Sequence, residues 1–410
     1  MRKHERFLQV CGLVFLHIAT AVGFALGADI TLVPSVRVQA EYDDNIVFAR
    51  DTNFVESDYR GIVSPSFLFN YATQRLRLDA SGTMDILRYL DTDELDDEFY
   101  YGRFNVQYQL TERFSLLGNL GYTEDATTRT ELQETGTFFL RENRKRKTAG
   151  AGATYRVSET SEITGNYSYS DVNYERFSVD FKNHSAVISY NRQLSPRDVF
   201  TIQPTYYHYD SDVSTVDSPG LSFGWSHAFT ELFSLRAFLG ARYTKTEFEV
   251  AQVFFDFDPI FGTITPIVIE SNETTTNWAG TADISVNKQG ELYSLTFGFK
   301  QDLTYSSVGE PLNTSRFYGN FQRRMTERFS VGVDGSFYVN RPNTNLSDYF
   351  DFDRRYFSLR PFLNYRLTEN HFLEASYRYQ NSYDDDVRDN KTADRNQIWI
   401  AVNFRFPRKW

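Results

Sequence analysis

Apolar and polar residues alternate along most of this chain, in runs of eight or more separated by short polar breaks. Leu76, Leu78, Ala80, Met84 and Ile86 share one parity, against Arg75, Arg77, Asp79, Ser81, Thr83 and Asp85. Phe104, Val106, Tyr108 and Leu110 oppose Arg103, Asn105, Gln107 and Gln109; Phe329, Val331, Val333, Phe337 and Val339 oppose Ser330, Asp334, Ser336 and Asn340; Phe357, Leu359, Leu363 and Tyr365 oppose Ser358, Arg360, Asn364 and Arg366. Side chains of a strand point alternately to its two faces, so each run predicts a strand with one oily and one wet face.

The breaks repeat. Leu110 to Leu116 reads L-T-E-R-F-S-L, Met325 to Val331 reads M-T-E-R-F-S-V, and Phe229 to Leu235 reads F-T-E-L-F-S-L. Looser copies at Ala72–Arg75, Ser158–Ser161, Ser195–Asp198, Lys288–Glu291 and Thr368–Asn370 bring the short turns to eight, with a longer, more variable loop between successive turns. This is an up-and-down meander of hairpins. Its segments are 35–43, 58–71, 75–90, 98–110, 113–125, 145–156, 162–175, 181–193, 199–211, 217–229, 233–247, 276–288, 291–305, 312–324, 328–341, 352–366, 371–384 and 394–406. Eighteen strands need seventeen connections, which eight turns and nine loops supply with both termini on the short-turn side; one hairpin more or fewer would give twenty or sixteen.

A soluble sandwich would alternate in the same way with its oil inside. Against it stand the strict alternation of turns and loops, aromatics near strand ends, and a chain that finishes on a strand. The fold class expected is all-β, a transmembrane antiparallel up-and-down barrel. Composition agrees: Phe and Tyr number 64 against 3 Met, and the mean hydropathy is negative, as it is when alternation dilutes the apolar residues. At the N-terminus, Arg2, Lys3 and Arg6 precede a mostly apolar Phe7–Phe24, and Ala25-Leu26-Gly27 before Ala28 has the small-x-small form of a cleavage site. Residues 1–27 therefore read as a signal peptide and 28–410 as one barrel domain in the outer membrane of a Gram-negative bacterium. A membrane anchor is the alternative for the first stretch. Cys11 falls within it, so the exported chain has no cysteine and no disulfide, thiol or thiolate-metal chemistry. Losing Arg2, Lys3, Arg6 and Glu5 removes a net +2 from a charge of −11, leaving −13, which disfavours nucleic acid and anionic lipid as electrostatic partners.

Catalytic chemistry finds few residues. His184, His208, His227 and His371 show no metal-ligand spacing. Gly220–Gly224, G-L-S-F-G, matches a nucleophile elbow only formally, for it lies within an alternating strand with no helix after it. Ala149–Ala153, A-G-A-G-A, likewise lacks the helix a phosphate loop needs. No enzyme activity, cofactor or metal is expected. Acidic runs at 91–98 and Asp384-Asp385-Asp386 read as solvated tips, with calcium or lipopolysaccharide-bridging cations as the alternative. The apolar loop 248–275 reads as a strand hairpin turning at Asp258-Pro259, or else as a lumenal constriction or a partner surface.

What remains is the lumen. Alternation turns Arg60, Arg77, Arg103, Arg236, Arg242, Lys300, Arg360, Arg366, Arg378 and Arg405 inward beside Asp79, Asp85, Asp283, Asp302, Asp334 and Glu374, with Tyr207, Tyr209, Phe238, Phe362 and Trp399 among them. Mixed charge and aromatics suit a hydroxyl-rich solute, and equally suit charges that merely pair across the wall.

The last segment sets Ile398, Ile400, Val402, Phe404 and Phe406 against Trp399, Ala401, Asn403 and Arg405. It resembles the assembly signal of outer-membrane barrels, carried by Phe404, Phe406 and Trp410, except that Pro407-Arg408-Lys409 intervenes. Leu32–Phe48, L-V-P-S-V-R-V-Q-A-E-Y-D-D-N-I-V-F, followed by S-P-S-F-L-F-N-Y at Ser64–Tyr71, resembles the opening of the putative β-barrel porin 2 group and of barrels linked to exosortase and exopolysaccharide loci, with Tyr42, Asp43, Asp44, Asn45 and Ile46 as the family motif. The resemblance implies a channel exporting a secreted polysaccharide, working with a periplasmic polysaccharide-export protein. Its other partners would be outer-membrane lipid, lipopolysaccharide and the barrel-assembly machinery. A general or solute-specific diffusion porin, and a structural or adhesive barrel with a plugged lumen, are the alternatives.

Overall fold

The computed structural model describes residues 28–138, 140–258, 263–305, 307, 311–342, 352–386 and 391–410. The expected signal peptide lies outside them. The strands are β1 (Asp29–Asp43), β2 (Asp58–Ala72), β3 (Leu76–Tyr89), β4 (Asp97–Gln109), β5 (Phe114–Ala126), β6 (Asn143–Ser158), β7 (Ser161–Tyr174), β8 (Phe181–Ser195) and β9 (Asp198–Ser211). They continue as β10 (Ser214–Thr230), β11 (Phe233–Asp258), β12 (Thr263–Gln289), β13 (Tyr293–Tyr305), β14 (Pro311–Arg324), β15 (Phe329–Pro342), β16 (Phe352–Arg366), β17 (His371–Asp386) and β18 (Lys391–Arg405). Each pairs antiparallel with its sequence neighbours, and β1 closes on β18 from Ser35↔Arg405 to Asp43↔Gln397. The expected eighteen-stranded antiparallel barrel is what the chain forms.

Most strand ends shift by a few residues from the sequence reading, and three regions matter for the fold. β1 begins at Asp29 rather than 35, because Asp29–Pro34 pairs with Phe67–Ala72. β11 and β12 run past 247 and 276 and stay paired out to Asp258↔Thr263, the strand hairpin expected for the apolar stretch 248–275, whose turn after Asp258 lies outside the described residues. After Pro407, Lys409 and Arg408 pair with Thr31 and Leu32, and Trp410 exchanges backbone hydrogen bonds with Ile30 at 3.3 and 3.0 Å. Pro407 interrupts the last strand without releasing the chain from β1; Phe404, Phe406 and Trp410 are exposed at that end.

The repeated turn has a local cause. Thr111 Oγ1 accepts from the backbone N–H groups of Arg113 and Phe114 at 3.3 and 3.1 Å, and Thr326 does the same for Arg328 and Phe329 at 3.2 and 3.0 Å. Thr73, Ser158, Ser195, Thr230 and Thr368 occupy the equivalent place, each hydroxyl accepting from the N–H two residues on. Short hydroxyl side chains reproduce a backbone turn bond. The Glu-Arg that follows Thr in the most similar copies is solvent-exposed.

Exposure decides between barrel and sandwich. Outward Leu120, Leu239 and Ile400 are each 57% exposed, whereas inward Arg242 and Arg395 are 1% and 3%. Oil outside and charge inside is the arrangement lipid requires. Towards the long loops the oily band ends in outward Tyr42, Tyr59, Tyr100, Tyr122, Tyr243 and Trp278, beyond which outward positions become Arg88, Glu98, Glu124, Lys147 and Lys245. Amphipathic rings belong at such an interface.

At that level the Tyr42–Ile46 motif locks the seam. Tyr42 stands outward, its ring 4.9 Å from Tyr59. Asp43, wholly buried, takes Arg395 Nε at 2.9 and 3.0 Å, and Asp44 accepts from the backbone and side-chain nitrogens of Asn396 at 2.6 and 2.7 Å. Asn45 Nδ2 donates to Asp394 O and Ala49 O, both at 2.9 Å, while its Oδ1 accepts from Ala49 N at 2.7 Å. Ile46 is buried. First and last strands are thus pinned by side chains as well as by their ladder.

Arg395→Ala leaves Asp43 buried without its main partner, so the barrel should lose about 3–5 kcal/mol of stability. Urea titration in lipid vesicles, read by the heat-modifiable gel shift, checks this; an unshifted midpoint would show that the seam holds by its ladder alone.

Candidate functional site

The 127–142 loop between β5 and β6 folds into the lumen instead of standing above it, and carries α1 (Glu131–Thr135). Its sequence, T-E-L-Q-E-T-G, puts helix formers between Thr130 and a terminating glycine. Gly136 adopts φ 72°, and a Cβ there would meet the Tyr338 ring at 2.5 Å, so only glycine fits. Leu132, fully buried, enters a cluster with Phe48, Phe138, Tyr338, Tyr356 and Ala393. Polar contacts hold the same face: Tyr338 Oη donates to Gln133 O, Asn340 Nδ2 to Thr135 O at 2.9 Å, Arg354 Nη1 to Thr137 Oγ1 at 2.8 Å, and Ser307 N to Glu131 Oε1 at 2.7 Å. The helix leaves the wall at β5–β6 and docks on β15–β16, nearly opposite in the ring of strands. It is a chord across the lumen.

Its root is ionic. Buried Arg144 lies 3.7 Å from each of Asp125, Glu131 and Glu134, while Arg146 reaches Glu134 at 2.7 Å. Burial pushes the Glu131 carboxyl above the usual carboxylate range, against the opposing pull of Arg144 and the Ser307 hydrogen bond.

A second inward element narrows one half. β12 and β13 pair only from Ala282↔Gln301 to Gln289↔Ser294, after which the β13–β14 hairpin leans inward. Tyr305 stacks on Tyr209 with centroids 4.3 Å apart and planes at 7°, beside Val172, Phe181 and Val216. Arg242 pairs with Asp302 and donates to Asn313 Oδ1 at 3.2 Å. Tyr209 and Arg242 therefore point inward as expected from parity, yet packing covers them. A cavity of about 190 Å³ remains on this side, where Lys300, Asp283, Arg236 and Tyr207 meet, with Arg236 over Phe238 at 4.7 Å.

The other half holds a cavity of about 310 Å³, lined on one side by Arg129, Thr130 and Gln133 of the chord. Arg60 bonds Glu41 at 2.5 Å, Arg37 bonds Glu374 at 3.0 Å, Arg129 forms an ion pair with Asp85 at 3.1 Å, and Arg360 pairs with Asp334. Trp399 Nε1 donates to Glu374 at 3.0 Å, and Arg378 lies 5.2 Å over the Trp399 ring. Of the remaining inward residues foreseen from parity, Arg77 bonds Asp79 at 3.1 Å, Arg366 donates to Glu327 O at 2.8 Å and Arg405 lies over Phe372 at 4.9 Å, all towards the short turns. Arg103 faces the lumen from β4, exposed.

Arg37, Glu41 and Arg395 were missed, although they share parity with Asp43 and Trp399 in segments already delimited. Arg129 and α1 carried no alternating signal. The histidines face outward; pairing across β8 and β9 brings His184 and His208 to 5.9 Å between ring centres, a neighbourhood their spacing in sequence conceals. Among the described residues no group of three or more His, Cys, Asp or Glu could hold a metal, and Asp384 is taken by Arg354 and Arg50. Gly220–Gly224 lies inside β10, which runs directly into a hairpin with β11.

Residues 19–184 match the family described as "Putative beta-barrel porin 2". The matched stretch, which runs from before β1 into β8, carries a β-barrel porin family pattern. No curated protein matches the chain. Among solved structures, the copper transporter OprC is 10% identical over 93% of this chain and 83% of its own, with a TM-score of 0.45. Pseudomonas aeruginosa OccK8 (OprE) is 9% identical, covering 93% and 98%, at 0.44, and Acinetobacter baumannii OccAB3 is 11% identical, covering 93% and 99%, at 0.44. Resemblance at that level is slight, and the functional reading rests on this chain's own residues.

Because docked Glu131 holds its proton more tightly than an exposed carboxyl, its contribution to docking is full below the ordinary carboxylate range and is lost as pH rises through the docked value. Hydrogen exchange of residues 127–142 in nanodiscs, corrected for intrinsic rates, should show more protection at about pH 5 than at about pH 8, and Glu131→Gln should flatten the difference. Equal pH dependence in both proteins would remove Glu131 as its source.

Proposed function

We propose that the protein is an outer-membrane channel that passes hydrophilic solutes by diffusion through a lumen narrowed by the 127–142 chord. The observation that carries this reading is the inversion of the barrel: ionised side chains line cavities on both sides of the chord, and oil faces outward. A wall that served only stability would be better filled with apolar residues, since buried ion pairs contribute little net stability. No reaction is assigned to it. Lipid and lipopolysaccharide are its surroundings, and the barrel-assembly machinery is the partner its last strand would engage.

Export of a polysaccharide with a periplasmic partner is the finer reading. It draws on the resemblance of Leu32–Phe48 and Ser64–Tyr71 to exopolysaccharide-locus barrels. Arginine-on-aromatic platforms at Arg236/Phe238 and Arg378/Trp399 would suit a hydroxyl-rich chain.

Reconstitution into planar bilayers tests the channel. The native protein should give discrete conductance steps, and replacing residues 128–141 by a Gly-Ser linker should enlarge them severalfold. Silence from both proteins, each folded by heat-modifiability, would overturn the reading. Deleting the gene and assaying surface and periplasmic polysaccharide separates the two solutes: loss from the surface, restored by the full chain, favours export, and unchanged polysaccharide leaves the diffusion channel.

A further inference from the structure

The larger lumenal cavity contains six arginines, and ion pairs account for five. Arg37 has Glu374, Arg60 has Glu41, Arg129 has Asp85, Arg360 has Asp334 and Arg395 has Asp43. Arg378 forms no ion pair with a carboxylate among the described residues; its guanidinium lies over the face of Trp399, 5.2 Å from the ring centre.

The neighbouring carboxylates are committed elsewhere. Glu41 accepts from Arg60 at 2.5 Å, Gln397 at 2.9 Å and Gln39 at 2.7 Å. Glu374 accepts from Arg37 at 3.0 and 3.3 Å and from Trp399 at 3.0 Å. Asp334 accepts from Arg360 and Asn320. Moreover, the register of β16 and β17, with Leu359 opposite Tyr379 and Phe362 opposite Ser376, sets Arg360 directly across from Arg378. Like charges facing each other on adjacent strands are destabilising unless something lies between them.

The supporting group is itself fixed. Trp399 is buried, and its indole N–H is held by Glu374, so the ring presents one set face to the guanidinium. Stacking on a ring orients the planar fork of an arginine and leaves its edge donors free for an oxyanion, which a guanidinium binds in a bidentate manner.

We propose that Arg378, mounted on Trp399 and opposed by Arg360, is the anion-selecting residue of the channel, binding the carboxylate or other oxyanion of a solute as it passes the chord. The inference rests on the channel reading and adds the solute's charge to it. Acidic sugars carry such a carboxylate, and free inorganic phosphate offers the same oxygen edge.

Bilayer reversal potentials in a KCl gradient test this with the full-length mature protein. The native channel should favour chloride, and Arg378→Gln should lower the chloride-to-potassium permeability ratio by about threefold, the effect of one charge at a few ångströms in a wet lumen. Trigalacturonate should block the native channel, with half-block about tenfold weaker in the variant, whereas neutral maltotriose should act equally on both. Arg378→Lys should keep the permeability ratio and lose much of the block, while outward Arg88→Gln should match the native protein. If phosphate blocks and trigalacturonate does not, the site takes the small ion rather than an acidic sugar. Unchanged ratio and block in Arg378→Gln, with steps of native size, would overturn this inference alone. A folded native protein that never conducts would overturn the channel reading along with it.

Discussion

Lipid offers no hydrogen-bond partner to the edge of a strand, and everything in this molecule depends on having no such edge. Eighteen strands joined to their neighbours remove all edges but two, and the pairing of β1 with β18 removes those. The seam joins the residues farthest apart in sequence, so it has the least help from chain connectivity. Side chains pin it as well, with Asp43, Asp44 and Asn45 gripping Arg395, Asn396 and the Asp394 carbonyl. A motif met first as a family signature has a local physical purpose here: it holds the ends of the ladder in one register at the rim where fraying would begin.

Closure in lipid also reverses the usual economy of charge. Since the outer face must be apolar across the oily band, the ionised groups of that band are driven to the lumen, and many of them are buried there rather than fully hydrated. Most answer by pairing, as Arg60 does with Glu41 and Arg242 with Asp302. Residues left over from that pairing are the ones through which a passing solute would be felt.

The strands were legible in the sequence because alternation is imposed by lipid on one side and water on the other, and it survives the loss of any single residue. The turns were legible because Thr111, Thr326 and their equivalents perform one bond that few side chains can make. Parity also placed Arg378, Trp399 and Glu374 on the inward face. It could not foretell that Tyr209 and Arg242 would be covered, because the cover comes from a hairpin that departs from the wall after Gln301. Nor could it find the chord. Leu132 meets Tyr338 and Tyr356 across more than two hundred residues of chain, and a five-residue helix in a loop shows no periodicity that distinguishes it from an exposed one. Only Gly136, set after a short run of helix formers, marked the place.

The chord has a mechanical side as well. An unbraced cylinder of strands deforms most easily into an ellipse, because hairpins can hinge about one another without breaking their bonds. A segment anchored at β5–β6 and docked on β15–β16 ties opposite walls together and resists that mode along its own direction. The wall can then yield more readily along the perpendicular diameter, across the two cavities. Lateral pressure from the bilayer would therefore alter the cross-section anisotropically, and releasing Leu132 from its cluster would soften the outline of the barrel while leaving its strand ladder intact.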